Sequence, residues 1–172
     1  MTKVSKSLFV VMLAAVFVLG VVAMVSAAEY VNKEVGFSVT WPDGWTNQPV
    51  ANKATDMKTL QGPNKDKGVT ISVVDKGDIK SLKDCAAAYG KGLEASGIGS
   101  DFEVVSNEPT KTKDGSPAYF AETEWMYGGT TLITTGIMSA FKGNKWIYVH
   151  LWTLGALEDE EMEILNSLTL LK

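Results

Sequence analysis

Residues 117–153 read PAYFAETEWMYGGTTLITTGIMSAFKGNKWIYVHLWT. Two short segments, Gly128-Gly129 and Gly143-Asn144, divide this stretch into three runs. Glycine and asparagine tolerate the positive φ angles that tight hairpin turns require. β-Branched and aromatic residues, which favour strands, fill the runs between the turns. The stretch therefore predicts an antiparallel three-stranded meander at the centre of the fold.

Another strand pattern lies near the start of the domain. Phe37, Val39 and Trp41 alternate with polar residues, as in a strand with one buried face. Pro42-Asp43-Gly44 then predicts a turn, because proline presets φ and glycine accepts the left-handed region. Trp41 and Trp45 flank this turn, and we expect them to clamp it.

A second hairpin is predicted from Thr55–Gln61 and Gly68–Asp75, and apolar residues alternate with polar ones in its second arm. The connection between them includes Asn64 and Asp66, which are loosely similar to a calcium-binding loop. No glutamate closes such a loop at the required distance, and lysines interrupt it. We therefore interpret it as a solvated turn.

Two helices are predicted, with an additional strand between them at Phe102–Glu108. Ser81 is the predicted N-cap of the first helix, and Asp84 is the reciprocal acid of a capping box. Cys85 lies on the apolar stripe of that helix, so we interpret it as a buried filler rather than a nucleophile. The second helix is predicted at Leu157–Leu170. Its acidic start is interpreted as a capped, solvated N-terminus rather than a metal site.

The segment from Gly36-Phe37-Ser38 to Pro42-Asp43-Gly44-Trp45 resembles the PsbP-like family, which also includes a Ran-binding import factor. The downstream order is similar as well: a hairpin, a helix opened by serine, a long meander and a terminal helix. The resemblance extends over residues 30–170. It implies an α+β sandwich in which helices pack on an antiparallel β-sheet, and it implies binding or assembly roles rather than an activity.

Residues 1–28 have the pattern of an export leader. Two lysines precede an uncharged apolar run at residues 8–25, and small residues end at Ala28. The pattern predicts a signal peptide cleaved after Ala28. An uncleaved N-terminal anchor is the alternative, because the apolar run approaches the length of a membrane-spanning helix. Either way, we expect the protein to be exported, to the periplasm or the extracellular space.

The remainder, residues 29–172, is predicted to form a single domain. The net charge of −4 argues against a nucleic-acid surface, which needs clustered positive charge. Every basic residue is a lysine, so a bidentate guanidinium site for phosphate or carboxylate is excluded. Cys85 is the single cysteine, so an intramolecular disulfide and a multi-thiolate zinc site are excluded as well.

His150 is the single histidine, so a catalytic triad or a histidine-based metal site would have to use it. Alternation along its strand places it on one face with two tryptophans and a tyrosine. Glu122 and Glu124 are expected on the same face of the sheet, where an acid–base pair with His150 is conceivable. The candidate binding residues are Trp125, Tyr127, Trp146, Tyr148, His150, Trp152, Glu122 and Glu124. Burial of these aromatic residues under helices is the competing interpretation.

No catalytic or cofactor motif is present: the sequence lacks a G-x-S-x-G elbow and glycine-rich phosphate loops. We therefore expect no enzymatic activity, no cofactor and no metal. The leading hypothesis is an exported, non-enzymatic binding or assembly factor that contacts another protein of the cell envelope. Two alternatives use the face of His150: a carrier of a small molecule or a metal, and a weak hydrolase.

Overall fold

The computed structural model describes residues 27–172. The predicted leader therefore lies almost entirely outside the described residues. The strands are β1 (Ala28–Asn32), β2 (Phe37–Trp41), β3 (Thr46–Gln48), β4 (Asp56–Gln61), β5 (Lys67–Asp75), β6 (Gly99–Lys111), β7 (Pro117–Tyr127), β8 (Thr131–Lys142), β9 (Lys145–Thr153) and β10 (Thr169–Leu170). The helices are α1 (Cys85–Ala95), which a 3₁₀ turn at Leu82–Asp84 precedes, and α2 (Asp159–Asn166).

The predicted meander is confirmed as β7, β8 and β9. Gly128 and Gly129 have φ angles of 57° and 71°, and Gly143 has a φ of 59°. These values lie in the left-handed region, which glycine adopts without the steric penalty of a side chain. Lys142 pairs with Lys145, so the second turn has two residues, as expected for a tight hairpin.

The strands form two antiparallel sheets. The large sheet has seven strands in the order β3-β4-β5-β9-β8-β7-β6, and the small sheet has the order β1-β2-β10. Both edges of the large sheet come from outside the meander, with short β3 at one side and long β6 at the other. This architecture confirms the predicted α+β fold, with an antiparallel sheet on which helices pack.

The main core lies on one face of the large sheet. Val69 and Ile71 of β5 and Val149 and Leu151 of β9 lie on this face and are fully buried. The small sheet and α2 cover them, and Leu165 of α2 belongs to the same cluster. Helix α1 packs on the opposite face. The alternation of side chains along β9 therefore separates an aliphatic core from an aromatic and polar layer.

The predicted capping box of Ser81 and Asp84 is present, but it caps the 3₁₀ turn that precedes α1. The backbone N–H of Ser81 donates to Asp84 Oδ2 at 3.1 Å, as in a capping box. Cys85 is buried, with 1% of its surface exposed. Burial raises the pKa of its thiol to about 12, so the thiol stays protonated at neutral pH. The interpretation of Cys85 as a buried filler agrees with this environment.

The predicted C-terminal helix is too long. It ends at Asn166, and Thr169 and Leu170 instead pair with β2. The reason is Ser167, whose hydroxyl accepts the N–H of Thr40 at 2.9 Å and lies 2.7 Å from the carbonyl of Ile164. Side-chain bonds of this kind compete with helix continuation. The strand predicted at residues 102–108 is present but longer than expected. It is β6, which extends from Gly99 to Lys111.

The acidic start of α2 is capped as predicted, but it is not fully solvated. Glu161 is 1% exposed and forms an ion pair with Lys67, which is 8% exposed. Its other carboxylate oxygen accepts the N–H of Glu158 at 2.8 Å. The hydrogen bond to Glu161 raises the pKa of Lys67, so the ammonium remains charged. This buried pair joins the start of β5 to the start of α2.

Neither helix within residues 27–172 is long and apolar enough to cross a membrane.

Replacing Lys67 with methionine should lower the free energy of unfolding by about 3–5 kcal/mol, because Glu161 would stay buried without a positive partner. Urea denaturation at neutral pH measures the loss. The control is Lys145→Met, which breaks an exposed pair with Asp75 at 2.8 Å and should lose less than about 1 kcal/mol. Equal losses in the two variants would contradict the proposed role of the buried pair.

Candidate functional site

The face of the large sheet beneath α1 carries most of the aromatic residues that the sequence singles out. Tyr148, His150 and Trp152 lie on this face of β9, and Tyr89 of α1 packs against them from above. The ring centroids of Tyr89 and His150 are 5.3 Å apart in an edge-to-face arrangement. Those of Tyr148 and Trp146 are 4.4 Å apart. Edge-to-face and offset contacts of this kind stabilise aromatic clusters.

Two glycines allow this layer to pack closely. A Cβ at Gly90 of α1 would lie 2.3 Å from Cδ1 of Phe102, so only glycine permits the helix to approach β6. A Cβ at Gly68 of β5 would lie 2.6 Å from Nε1 of Trp152, its cross-strand partner. The indole of Trp152 therefore packs closely against the backbone of the neighbouring strand at Gly68.

A cleft of about 540 Å³ opens where α1 ends. Its floor comes from the large sheet and consists of Thr70, Trp125, Ile133, His150 and Trp152. Tyr89 and Leu93, which are one helical turn apart on α1, form one wall. The indole N–H of Trp125 donates to Thr135 Oγ1 at 2.9 Å, which fixes that ring in the floor.

The rim of the cleft is apolar and exposed. Ile98 is 52% exposed, Tyr127 is 56% exposed and Leu154 is 55% exposed. Ile98 follows α1, Tyr127 ends β7 and Leu154 follows β9, so three separate segments meet there. Large apolar side chains clustered around a concavity are typical of binding sites rather than of an inert surface.

His150 is the polar group at the base of the cleft. Its Nδ1 atom is buried and makes no hydrogen bond to protein atoms within residues 27–172. Burial lowers the pKa of His150 to about 4, and the charge of Asp56 opposes that shift only in part. The imidazole is therefore neutral at neutral pH, with one nitrogen as donor and the other as acceptor.

The cleft contains four of the eight candidate residues. Trp125, Tyr127, His150 and Trp152 all line it. The other two aromatic candidates lie further along the same face: Trp146 is buried and Tyr148 is half-buried. The aromatic face is therefore largely covered by α1, as the competing interpretation supposed, and only its end is open.

The expectation that Glu122 and Glu124 share the face of His150 is wrong. Glu122 pairs with Gly136, which pairs with Leu151, so all three positions share the aliphatic face. Glu124 follows the same alternation. The cause is the register across β8, which places His150 opposite Ile137 and hence level with Ala121. An acid–base pair of either glutamate with His150 is excluded by this register.

Eight of the twelve residues that line the cleft belong to no predicted site. They are Lys65, Thr70, Tyr89, Leu93, Ile98, Thr131, Ile133 and Leu154. The apolar spacing of Tyr89 and Leu93 does indicate a packed helix face, but it does not say which face of the sheet receives the helix. Ile98 and Leu154 lie in connections, where alternation carries no signal.

No group of three or more His, Cys, Asp or Glu side chains within the described part of the chain is arranged to hold a metal ion.

No protein-family profile and no curated protein sequence matches this chain. Solved structures do match its backbone. The chain has the PsbP-like fold. The cyanobacterial PsbP of Synechocystis sp. PCC 6803 superposes with a TM-score of 0.64 at 17% identity, over 88% of this chain and 96% of the other. The Ran-binding protein Mog1p of Saccharomyces cerevisiae superposes with a TM-score of 0.61 at 7% identity, over 85% and 96%.

The resemblance inferred from the segment at residues 36–45 is therefore confirmed at the level of fold. In this PsbP-like fold the strand Phe37–Trp41 is β2, the centre of the small sheet. Trp45 is buried and its indole N–H donates to Glu160 Oε1 at 2.8 Å, which ties the turn after β2 to α2. The motif at residues 36–45 therefore includes a residue, Trp45, that connects the small sheet to α2.

Protein stability should fall as the pH drops from about 6.5 to about 4, because only unfolded chains protonate His150 over that range. The loss should be about 1–3 kcal/mol and should level off below the lowered pKa. Urea denaturation across this pH range, compared with His150→Phe, isolates the contribution. Parallel stability curves for the two proteins would show that the imidazole is not held neutral.

Proposed function

We propose that this chain is a non-catalytic binding protein and that the cleft at the end of α1 is its binding site. The observation that carries the proposal is the cleft of about 540 Å³, whose floor holds Trp125, Trp152 and His150. Small-molecule sites in proteins typically have volumes of about 300–1,000 Å³, apolar walls and a few polar groups. This cleft fits that description, so its favoured occupant is a small, largely apolar ligand.

The surroundings of His150 support binding rather than catalysis. A histidine that acts as a general base needs a nucleophile or a carboxylate within hydrogen-bond reach. Within residues 27–172 the buried Nδ1 has no such partner, and Glu122 and Glu124 lie on the other side of the sheet. The hydrolase hypothesis therefore loses the residues on which it depended. A neutral imidazole at the base of the cleft adds a polar side chain to the lining without adding charge.

An assembly role outside the cytoplasmic membrane, through contact with another protein, is the second candidate. The observation in its favour is the open edge of β6, where Val104 is 38% exposed and Val105 is 53% exposed. An exposed strand edge can accept an extended segment of a partner. Mog1p, which has the same fold, is named as a Ran-binding protein. Export of this chain, to the periplasm or beyond, remains a prediction from residues 1–28.

Filling the cleft should weaken ligand binding without unfolding the protein. Thr131 is exposed and lines the cleft, whereas its neighbour Leu132 is 50% exposed and points to the other face of β8. Thr131→Phe should weaken binding of naphthylethanol, a neutral apolar probe, at least about tenfold in isothermal titration calorimetry. Leu132→Phe is the matched control and should leave the affinity unchanged. An identical loss in both variants, or no binding by the native protein, would overturn the proposal.

The protein-contact candidate makes a separate prediction about the edge strand. A photo-reactive benzoylphenylalanine at Val105 should yield one discrete crosslinked protein in the native host, because a partner strand would lie against it. The same amino acid at Leu132, which is similarly exposed but lies on an inner strand, should not. Gel mobility and mass spectrometry of the adducts measure the difference. The same adducts from both positions would indicate chance encounters.

A further inference from the structure

We infer that the ligand of the cleft is a small monocarboxylic acid with an aromatic or branched aliphatic body, whose carboxylate is bound by Lys65 at the mouth. This inference rests on the proposed function, because it specifies the chemistry of the molecule that enters the same cleft. The inference follows from three features of the lining: its charge, the backbone of Lys65 and the shape of the floor.

Charge is the first feature. Lys65 is the only ionisable group of fixed charge among the residues that line the cleft, and no carboxylate lines it. The ammonium of Lys65 takes part in none of the ion pairs within residues 27–172. The nearest acidic neighbour in sequence, Asp66, lines a separate polar pocket beside Glu158 instead. An apolar cleft with one uncommitted cation selects an apolar molecule that carries one negative charge.

The backbone of Lys65 is the second feature. Its φ angle is 63°, in the left-handed region that lysine rarely adopts. A hydrogen bond of 3.1 Å from its N–H to the carbonyl of Gly62 closes the turn between β4 and β5. Glycine or asparagine would suit this position better. The positive φ angle and this hydrogen bond fix the backbone of Lys65 in a turn that borders the cleft.

A single lysine also limits the charge of the anionic group that the cleft can bind. A phosphate monoester carries nearly two charges and three acceptor oxygens, and proteins usually bind it with several donors or with arginine. The sequence contains no arginine, and the cleft offers one ammonium. A carboxylate, with a single charge, is the anion that this donor set can satisfy.

The floor is the third feature, and it determines the shape of the apolar body. Trp152 packs closely against Gly68, and the indole N–H of Trp125 donates to Thr135, so the floor presents two positioned indoles. Flat aromatic surfaces favour a ring or a branched chain that can stack on them. His150 at the base adds a neutral polar side chain beside the indoles.

The test compares naphthylacetate with naphthylethanol, which has the same ring and no charge, and with the cationic naphthylethylamine. Calorimetry on the native protein should give an affinity for naphthylacetate about fivefold higher than for naphthylethanol, as expected for one accessible ion pair. The amine should bind more weakly than both. Lys65→Met should remove the preference for the acid and leave the alcohol unaffected, and Lys65→Arg should restore the preference.

The control variant is Lys33→Met, an exposed lysine at the turn between β1 and β2, which should change nothing. The preference for the acid should also shrink in high sodium chloride, because salt screens an exposed pair. If naphthylethanol binds, and Thr131→Phe blocks it, but Lys65→Met leaves the preference for the acid intact, the inference fails while the proposed function stands. If no probe binds the native protein, both fail.

Discussion

The pairing of β9 between β5 and β8 is the constraint on which the rest of the molecule depends. A one-residue slip in this register would exchange Val149 and Leu151 with His150 and Trp152, and so exchange the core with the cleft. The register is well specified because Ile147, Val149 and Leu151 alternate along β9 and are all fully buried on one face. The two-residue turn at Gly143 joins β8 directly to β9 and therefore fixes the register of that pair as well.

The two faces have different physical roles. The aliphatic face is sealed by the small sheet and by α2, which the Lys67–Glu161 pair and the Trp45–Glu160 bond attach to the large sheet. The aromatic face is covered by one helix that is shorter than the strands beneath it, so part of the face stays open. The cleft is therefore a consequence of the length of α1 rather than of a specialised loop.

Much of the fold was predictable, because alternation and glycine turns are local signals. They identified the meander, the strand ending at Trp41 and the helix capped by Ser81. The wrong predictions concern features that depend on contacts between residues far apart in the sequence. Whether Glu122 lies with His150 or against it depends on a register across two strands, and whether residues 167–170 continue a helix depends on Ser167 meeting Thr40. The sequence also left open whether helices bury the aromatic residues of this face, since it does not reveal which face α1 covers.

The position of β10 has a consequence for how the chain matures. β2 lies between β1, its neighbour in sequence, and β10, which follows every other described strand along the chain. During synthesis from the N-terminus, Phe37 and Val39 therefore lack part of their cover until α2 and β10 have been made. The small sheet is thus an element that closes late, because its central strand waits for a partner from a distant part of the sequence.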